Sequence, residues 1–237
     1  MKRSITKARY SRGKETRERI LNVAVRLFGS RGFDSVSTRE IADAAAVPPA
    51  SLRYYFENKQ GLYIACLGHI QTSTLQVIEP ALQSAEMLLK DLNTNTALLI
   101  DAFCDVQAAL IDYMIGRPDA DTTALFMLRH DLPGDGGTST FKGDGTIAYR
   151  MMACFVQMMM AISGNTLEPQ TALIVAGLIN GQPTAIQLRR HRLAEMGWDI
   201  TPERLAWLKQ TIRTNTTAIL HAHSIIHQST ASSGTSI

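Results

Sequence analysis

The chain lacks several features that would assign it to common protein classes. No run approaches 18 apolar residues and the first residues are charged, so we expect neither a membrane span nor a secretion signal. The cysteines are few, and Cys66, Cys104 and Cys154 are widely spaced with no C-x-x-C pair. We therefore expect reduced thiols in a cytoplasmic protein, with metal binding or redox sensing as the alternative.

Short motifs of catalysis and metal binding are missing as well. The sequence contains no G-x-S-x-G, no H-E-x-x-H and no glycine-rich strand-to-helix phosphate loop. The glycine-rich segment 132–146 lacks both a following G-K-[ST] and the EF-hand spacing of acidic residues, so it predicts a flexible loop. His221, His223 and His227 have no neighbouring ligands for a tetrahedral site, which favours surface histidines over a metal site. We expect no enzyme activity, no metal and no cofactor.

Positive charge is concentrated at one end of the chain. Residues 1–60 contain 13 Lys or Arg against 6 Asp or Glu, a net +7, whereas residues 61–237 contain 11 against 15, a net −4. Such a basic block attracts a polyanion through counterion release. A solvated tail is the alternative, and we predict a basic flexible arm over residues 1–13. Basic residues within the folded part that follows favour a functional basic face.

Apolar spacing predicts two helices after this arm. Apolar residues recur at three- and four-residue steps between positions 20 and 28, as on one face of a helix. Gly32 then occupies the position of a left-handed C-terminal cap. Ser37 and Glu40 form an S-x-x-E capping box that begins the second, short helix.

A third helix follows a tight turn. Pro48 and Pro49 suit a turn or a first helical turn, so we expect the helix to begin near Pro49. Leu52 and Phe56 are four residues apart and point inward together. The remaining residues therefore point outward, with Tyr55 at the margin: Pro49, Ala50, Ser51, Arg53 and Tyr54. This is a helix-turn-helix arrangement, whose second helix enters the DNA major groove.

Asn58 is expected to cap a fourth helix. Lys59 in its first turn lies beside free backbone N–H groups, and together they suit a phosphate.

Residues 14–63 resemble the DNA-binding domain of TetR-family transcriptional regulators. The matching segments are R-x-R-I-L-x-x-A-x-x-L-F at 17–28, R-G-F at 31–33, S-T-R-E-I-A-x-x-A at 37–45 and L-R-Y-Y-F-E-N-K-x-x-L-Y at 52–63. The resemblance implies phosphate contacts at Thr38, Arg39, Tyr55 and Lys59, and base or groove contacts at Pro49, Ser51, Arg53 and Tyr54. The chain departs from the family at Ala46, commonly glycine, and at Pro48, commonly polar.

The rest of the chain predicts an all-α fold. Helices are expected over 59–88, 94–116, 119–130, 145–163, 168–196 and 202–226, with no sustained strand-like alternation. The segments 178–198 and 201–223 resemble the C-terminal part of the CecR-like subgroup of TetR regulators, and 129–134 resembles its mid-domain R-E-x-x-x-P segment. The resemblance implies a homodimer formed by the last two long helices as a four-helix bundle, with an effector pocket in each core.

The residues of the last two long helices also indicate a partner subunit, independently of the resemblance. Their apolar positions are too many for one stripe, so each helix needs two neighbours. These positions are Leu173, Ile174, Ala176, Gly177, Ile179, Leu188, Leu193, Leu205, Leu208, Ile212 and Leu220. Burial within one monomer is the alternative.

The segment 151–162 contains five methionines, which line either a hydrophobic pocket or an ordinary core. The candidate effector residues are Phe103, Gln107, Tyr113, Phe126, Met127, Phe155 and Met159. Arg129 and His130 are further candidates that would orient an acidic effector, unless they only cap carbonyls at a helix end.

The sequence thus predicts a DNA-binding domain at 14–60, an effector-binding and dimerisation domain at 61–227 and a disordered tail at 228–237. The predicted function is a homodimeric, ligand-responsive transcriptional repressor that binds a palindromic operator. The alternatives are a small-molecule binding or sequestering protein with only nonspecific DNA contact, and a helical enzyme that would turn over its ligand.

Overall fold

A computed structural model describes residues 2–131 and 146–233, with side chains for 12–130 and 146–224. These residues form helices and no strand, which confirms the all-α prediction. The helices are α1 (Lys2–Arg31), α2 (Thr38–Ala44), α3 (Pro49–Tyr55), α4 (Lys59–Leu88), α5 (Thr96–Met114), α6 (Ala120–Asp131), α7 (Ile147–Ile162), α8 (Pro169–Glu195) and α9 (Pro202–Ser233). The predicted glycine-rich loop lies outside the described residues, except for Thr146, which caps α7.

The described chain divides into two compact units. The first contains the residues up to Thr72 and those of α6 from Asp121 onward, and the second contains Ser73–Ala120 and the described residues from 146 onward. The predicted boundary at residue 60 lies within the first unit. Leu62 and Cys66 on α4 are fully buried in the core of the first unit, so the first turns of this helix belong there.

At both ends of the chain the described backbone is helical. The arm predicted over 1–13 is helical from Lys2, and the tail predicted over 228–237 is helical up to Ser233. The lack of helix-breaking residues is common to both ends, whereas Lys and Arg are concentrated at the first. No Gly or Pro interrupts the chain between residues 2 and 12 or between 202 and 233, and Lys and Arg are good helix formers.

The start of α2 is held by the predicted capping box. Ser37 Oγ accepts a hydrogen bond from Glu40 N at 3.2 Å, and Glu40 Oε2 accepts one from Ser37 N at 2.8 Å. Arg31 adds an ion pair with Glu40 Oε1 at 2.8 Å. The backbone N–H of Ser37 and the Arg31 guanidinium lower the pKa of Glu40 to about 2. The box therefore connects the end of α1 to the start of α2.

The second unit has its own core, built mainly from α5, α7, α8 and α9. Phe103 of α5 and Phe155 of α7 are fully buried, with ring centroids 4.5 Å apart. Met158 and Met159 are also fully buried in this cluster, so part of the methionine-rich segment is core. Arg150 joins α7 to α4 through Glu79 at 2.8 Å and Glu86 at 2.7 Å.

Candidate nucleic-acid interface

Helix α3 has one buried face and one exposed face. Leu52 and Phe56 are 3% and 5% exposed and belong to the core of the first unit. Arg53 and Tyr54 lie on the opposite face, where the Tyr54 side chain is 81% exposed, and Tyr55 is half-buried at the margin. The predicted division of α3 into two faces is confirmed. A short helix with an exposed arginine and tyrosine can insert into a groove without disturbing its own core.

The turn before α3 is fixed by the backbone. Ala46 has φ +51°, in the left-handed region that favours glycine, and Val47 N donates to Ala42 O at 3.0 Å. Pro48 is the N-cap without a side-chain hydrogen bond, and Pro49 is in the first turn as predicted. The turn thus keeps the geometry usual for glycine at a strain cost of about 1 kcal/mol.

The start of α4 lies against the loop before α2. Asn58 Oδ1 accepts a hydrogen bond from Gly61 N at 2.8 Å, which confirms the predicted cap. The Lys59 ammonium lies 4.4 Å from the centroid of the Phe33 ring and 3.5 Å from Asp34 O. The stem of Lys59 is thereby held beside the free N–H groups of a long helix, an arrangement that suits a phosphate.

Two surface depressions bring several of the predicted contact residues together. One is lined by Thr38, Arg53 and Lys59, and the other by Thr38, Arg39, Pro49 and Arg53. Glu40, which lines the first depression, is already paired with Arg31. Ser51, Tyr54 and Tyr55 lie on α3 outside both depressions. The two depressions share Thr38 and Arg53 and therefore adjoin, with Lys59 lining the first beside Asp34 and Glu57, and Arg39 lining the second.

The predicted effector residues are divided between the two units. Four of the nine lie on α6, in the first unit: Phe126, Met127, Arg129 and His130. Phe126 is 1% exposed in the core with Phe28 and Tyr63. A pocket that contains all nine residues stays a prediction.

The two polar residues on α6 are engaged within the first unit. Arg129 Nε donates to Gly29 O at 2.7 Å, and Arg129 Nη2 donates to Ser30 O at 3.3 Å. His130 Nδ1 lies 3.3 Å from Tyr63 Oη. Arg129 therefore caps carbonyls at the end of α1, as the alternative interpretation expected.

The other five candidates lie in the second unit: Phe103, Gln107, Tyr113, Phe155 and Met159. Gln107 is 1% exposed, accepts a hydrogen bond from Thr216 Oγ1 at 2.8 Å and donates to Ile179 O at 3.2 Å. Sequence reasoning identified Gln107 as polar but missed its partners on α8 and α9. An effector role for these five residues stays a prediction.

The thiols and histidines form no reactive or metal-binding cluster among the described residues. The three cysteines are free and buried, and burial raises the pKa of Cys66 and Cys104 and raises that of Cys154 to about 11. The described side chains include no group of three His, Cys, Asp or Glu placed to hold a metal ion. His227 lies outside the described side chains. No described helix is long and apolar enough to cross a bilayer.

Comparison with known proteins gives a consistent result. The family model of bacterial regulatory proteins of the tetR family matches residues 20–66. The HTH-type transcriptional dual regulator CecR of Shigella flexneri is 32% identical over 121 residues, which cover 51% of this chain and 53% of CecR. YttP of Bacillus subtilis (strain 168) is 33% identical over 84 residues, 35% of this chain and 39% of that protein. The chain thus spans between about two fifths and half of these relatives.

The fold likeness extends over more of the chain. A crystal structure from Mesorhizobium loti MAFF303099, described as a TetR-family transcriptional regulator, superposes with a TM-score of 0.52 at 18% identity. It covers 89% of this chain and 98% of that structure, which supports the fold of both units. Residues 20–66, which include the helix-turn-helix at residues 37–56, are thus similar to bacterial regulatory proteins of the tetR family.

Proposed function

We propose that the protein is a DNA-binding transcriptional regulator that represses by occupying a palindromic operator. The observation that carries this proposal is the exposed face of α3, where Arg53 and Tyr54 lie opposite the buried Leu52 and Phe56. Arg53 has the fork geometry for bidentate contact with guanine, and Lys59 lies beside helix N–H groups that suit a backbone phosphate. Base readout is therefore assigned to α3 and phosphate contact to the residues around it.

Two copies of α3 are needed to read a palindrome, and the outer face of α8 supports a homodimer. Ile174 is 64% exposed and Leu178 is 72% exposed on this face. An added Cβ at Gly177 or Gly181 would meet nothing within 4 Å, so a second helix has room to approach closely. Ala176 and Ile179 on the same helix are buried within the monomer, so monomer burial accounts for only part of its apolar residues.

The dimer is tested by placing a charge on this face. Leu178→Glu should shift the protein from dimer to monomer in sedimentation equilibrium, because an unpaired carboxylate would be buried at the interface. Leu92→Glu is the matched control, since Leu92 is fully exposed and lies outside α8 and α9. Equal masses for the two variants would contradict the proposed interface.

An effector is proposed to act by shifting a conformational population. A small molecule that binds the second unit more tightly in the DNA-free state would lower operator affinity by the ratio of its two affinities. Support comes from α4, which supplies buried residues to both units, such as Leu62 in the first and Leu82 in the second. The core of the second unit and Lys59 are thus connected through one continuous helix, α4, so a rearrangement of that core acts on the helix that carries Lys59.

Selection of DNA from a random duplex pool tests the proposal directly. Enrichment of an inverted repeat with half-sites about one helical turn apart is the expected result. Salt-sensitive binding without enrichment of any site would instead favour a small-molecule binding protein with nonspecific DNA contact.

A further inference from the structure

A single arginine of α7 joins two separate turns of α4. The Arg150 Nε and Nη2 atoms each donate a hydrogen bond to Glu86 at 2.7 Å, and Nη1 donates to both carboxylate oxygens of Glu79 at 2.8 and 3.1 Å. The three side chains are between 25% and 38% exposed, so water screens them less than an ordinary surface ion pair. All three residues lie in the second unit. This group is called the Arg150 clamp below.

The two clamped glutamates lie on either side of a proline inside α4. Pro80 follows Glu79 directly and lies in the interior of this 30-residue helix. Proline has no N–H to donate to the carbonyl four residues before it, and its ring crowds that carbonyl, so a helix is weakened there. The weak point of α4 is therefore next to Pro80. Arg150 holds the turn before it through Glu79 and the turn after it through Glu86.

We propose that the Arg150 clamp is a conformational lock, which keeps α4 rigid across Pro80 and is released when α7 rearranges. The lock is connected to the second core, because Arg150 shares α7 with Phe155, Met158 and Met159, which are fully buried there. A molecule or substitution that displaces these side chains therefore also displaces the guanidinium. Without the four hydrogen bonds, α4 is free to bend at its proline.

The lock would act on operator binding through the spacing of the two recognition helices. Two copies of α3 fit the half-sites of a palindrome only at a fixed separation. If α4 bends in part of the molecules, the fraction competent for both half-sites falls, and the apparent Kd rises by the inverse of that fraction. A duplex with a single half-site does not need this spacing. This effect on DNA binding rests on the proposed function.

The test is a double-mutant cycle in the intact chain. Arg150→Gln removes the clamp, Pro80→Ala removes the weak point, and a third variant combines both changes. Arg213→Gln is the matched control. Arg213 also pairs with two carboxylates, those of Asp101 and Asp105, at 2.7 Å each, but both belong to α5, which contains no proline.

Circular dichroism and thermal denaturation establish that the variants fold. Arg150→Lys replaces Arg150→Gln if the latter does not fold, because an ammonium keeps the charge but lacks the planar fork that binds two carboxylates at once. Hydrogen exchange, measured by mass spectrometry on peptides covering residues 73–88, reports on opening of α4. Fluorescence anisotropy gives Kd for an enriched operator and for a duplex with one half-site.

The expected result is faster exchange in residues 73–88 of Arg150→Gln and operator binding weakened roughly 5- to 150-fold, the usual range of coupling between sites. Binding to the single half-site should be unchanged. In the combined variant, Pro80→Ala should restore most of the protection and most of the operator affinity. Arg213→Gln should leave exchange in this segment unchanged.

Three results would overturn the proposal: unchanged exchange in Arg150→Gln, the same losses with and without Pro80, or equal acceleration in Arg213→Gln. In each case Arg150 would be an ordinary ion-pair partner. Failure of the proposed function would look different, since the unaltered protein would then prefer no operator over scrambled duplex. The exchange measurements on the same four variants would still show whether the clamp holds α4 at its proline.

Discussion

The contact between α1 and α6 leads to a prediction that needs no ligand. An added Cβ at Gly29 would lie 2.8 Å from Thr122 O and 2.9 Å from Phe126 N. Both are backbone atoms of α6, so Gly29→Ala requires the two helices to move apart by several tenths of an ångström. Overpacking of this kind costs roughly 1–3 kcal/mol, whereas the gain in helix propensity is at most about 1 kcal/mol. We expect Gly29→Ala to be destabilising by roughly 0–2 kcal/mol.

Gly68→Ala is the matched control for this substitution. Gly68 lies inside α4, and an added Cβ there would meet nothing within 4 Å. This variant should therefore gain about 1 kcal/mol from propensity alone. Urea denaturation, followed by circular dichroism, gives the difference between the two variants, which we expect to be about 1–3 kcal/mol. Equal stabilisation by both substitutions would refute the close approach of α6 to α1.

Three further predictions concern the interface and its cap. Arg53→Ala should cost on the order of 1–3 kcal/mol of operator binding and relax base preference at one position, measured by anisotropy on single-base operator variants. Lys59→Ala should weaken operator and random duplex equally and make the salt slope shallower by about 0.9 per protomer; a sequence-dependent loss would contradict its phosphate role. The pKa of Glu40 in the folded protein, about 2, is below the ordinary glutamate value of 4.5. Its stabilising contribution is therefore present above about pH 4.5 and is lost as pH falls toward 2. Glu40→Gln should lower stability at pH 6 more than at pH 3; equal losses in denaturation at the two pH values would contradict this.

Local features were predictable from the sequence because they depend on neighbours along the chain. The two faces of α3 follow from the four-residue step between Leu52 and Phe56, and the cap of α2 follows from Ser37 and Glu40. The bounds of α4 agree with the prediction at both ends. In each case propensity, capping and hydrophobic period indicate the same structure.

Long-range packing was not predictable in this way. Phe126 and Phe103 have the same apolar character, and only the fold places one against Phe28 and the other against Phe155. Arg150 likewise gave no sign of its partners on α4. A pocket is likewise defined by residues that are distant in sequence, so the effector residues stay a prediction.

The left-handed conformation of Ala46 could be predicted only in part from the sequence. The resemblance to the family identified this position as one that is commonly glycine, but alanine itself gives no signal for positive φ. Its backbone is held by the hydrogen bonds of the turn, including Ala46 N to Asp43 O at 3.1 Å. The tertiary context therefore decides the conformation of this residue.

The proposal that α3 reads DNA sequence is tested by the specificity ratio of the purified protein. Anisotropy titrations at one fixed salt concentration would compare an operator enriched from a random pool with a scrambled duplex of the same length and composition. If α3 reads sequence, we expect a ratio of operator to scrambled-duplex affinity of roughly 10³ or more for the unaltered chain. A ratio near one, in protein shown to be folded, would contradict it.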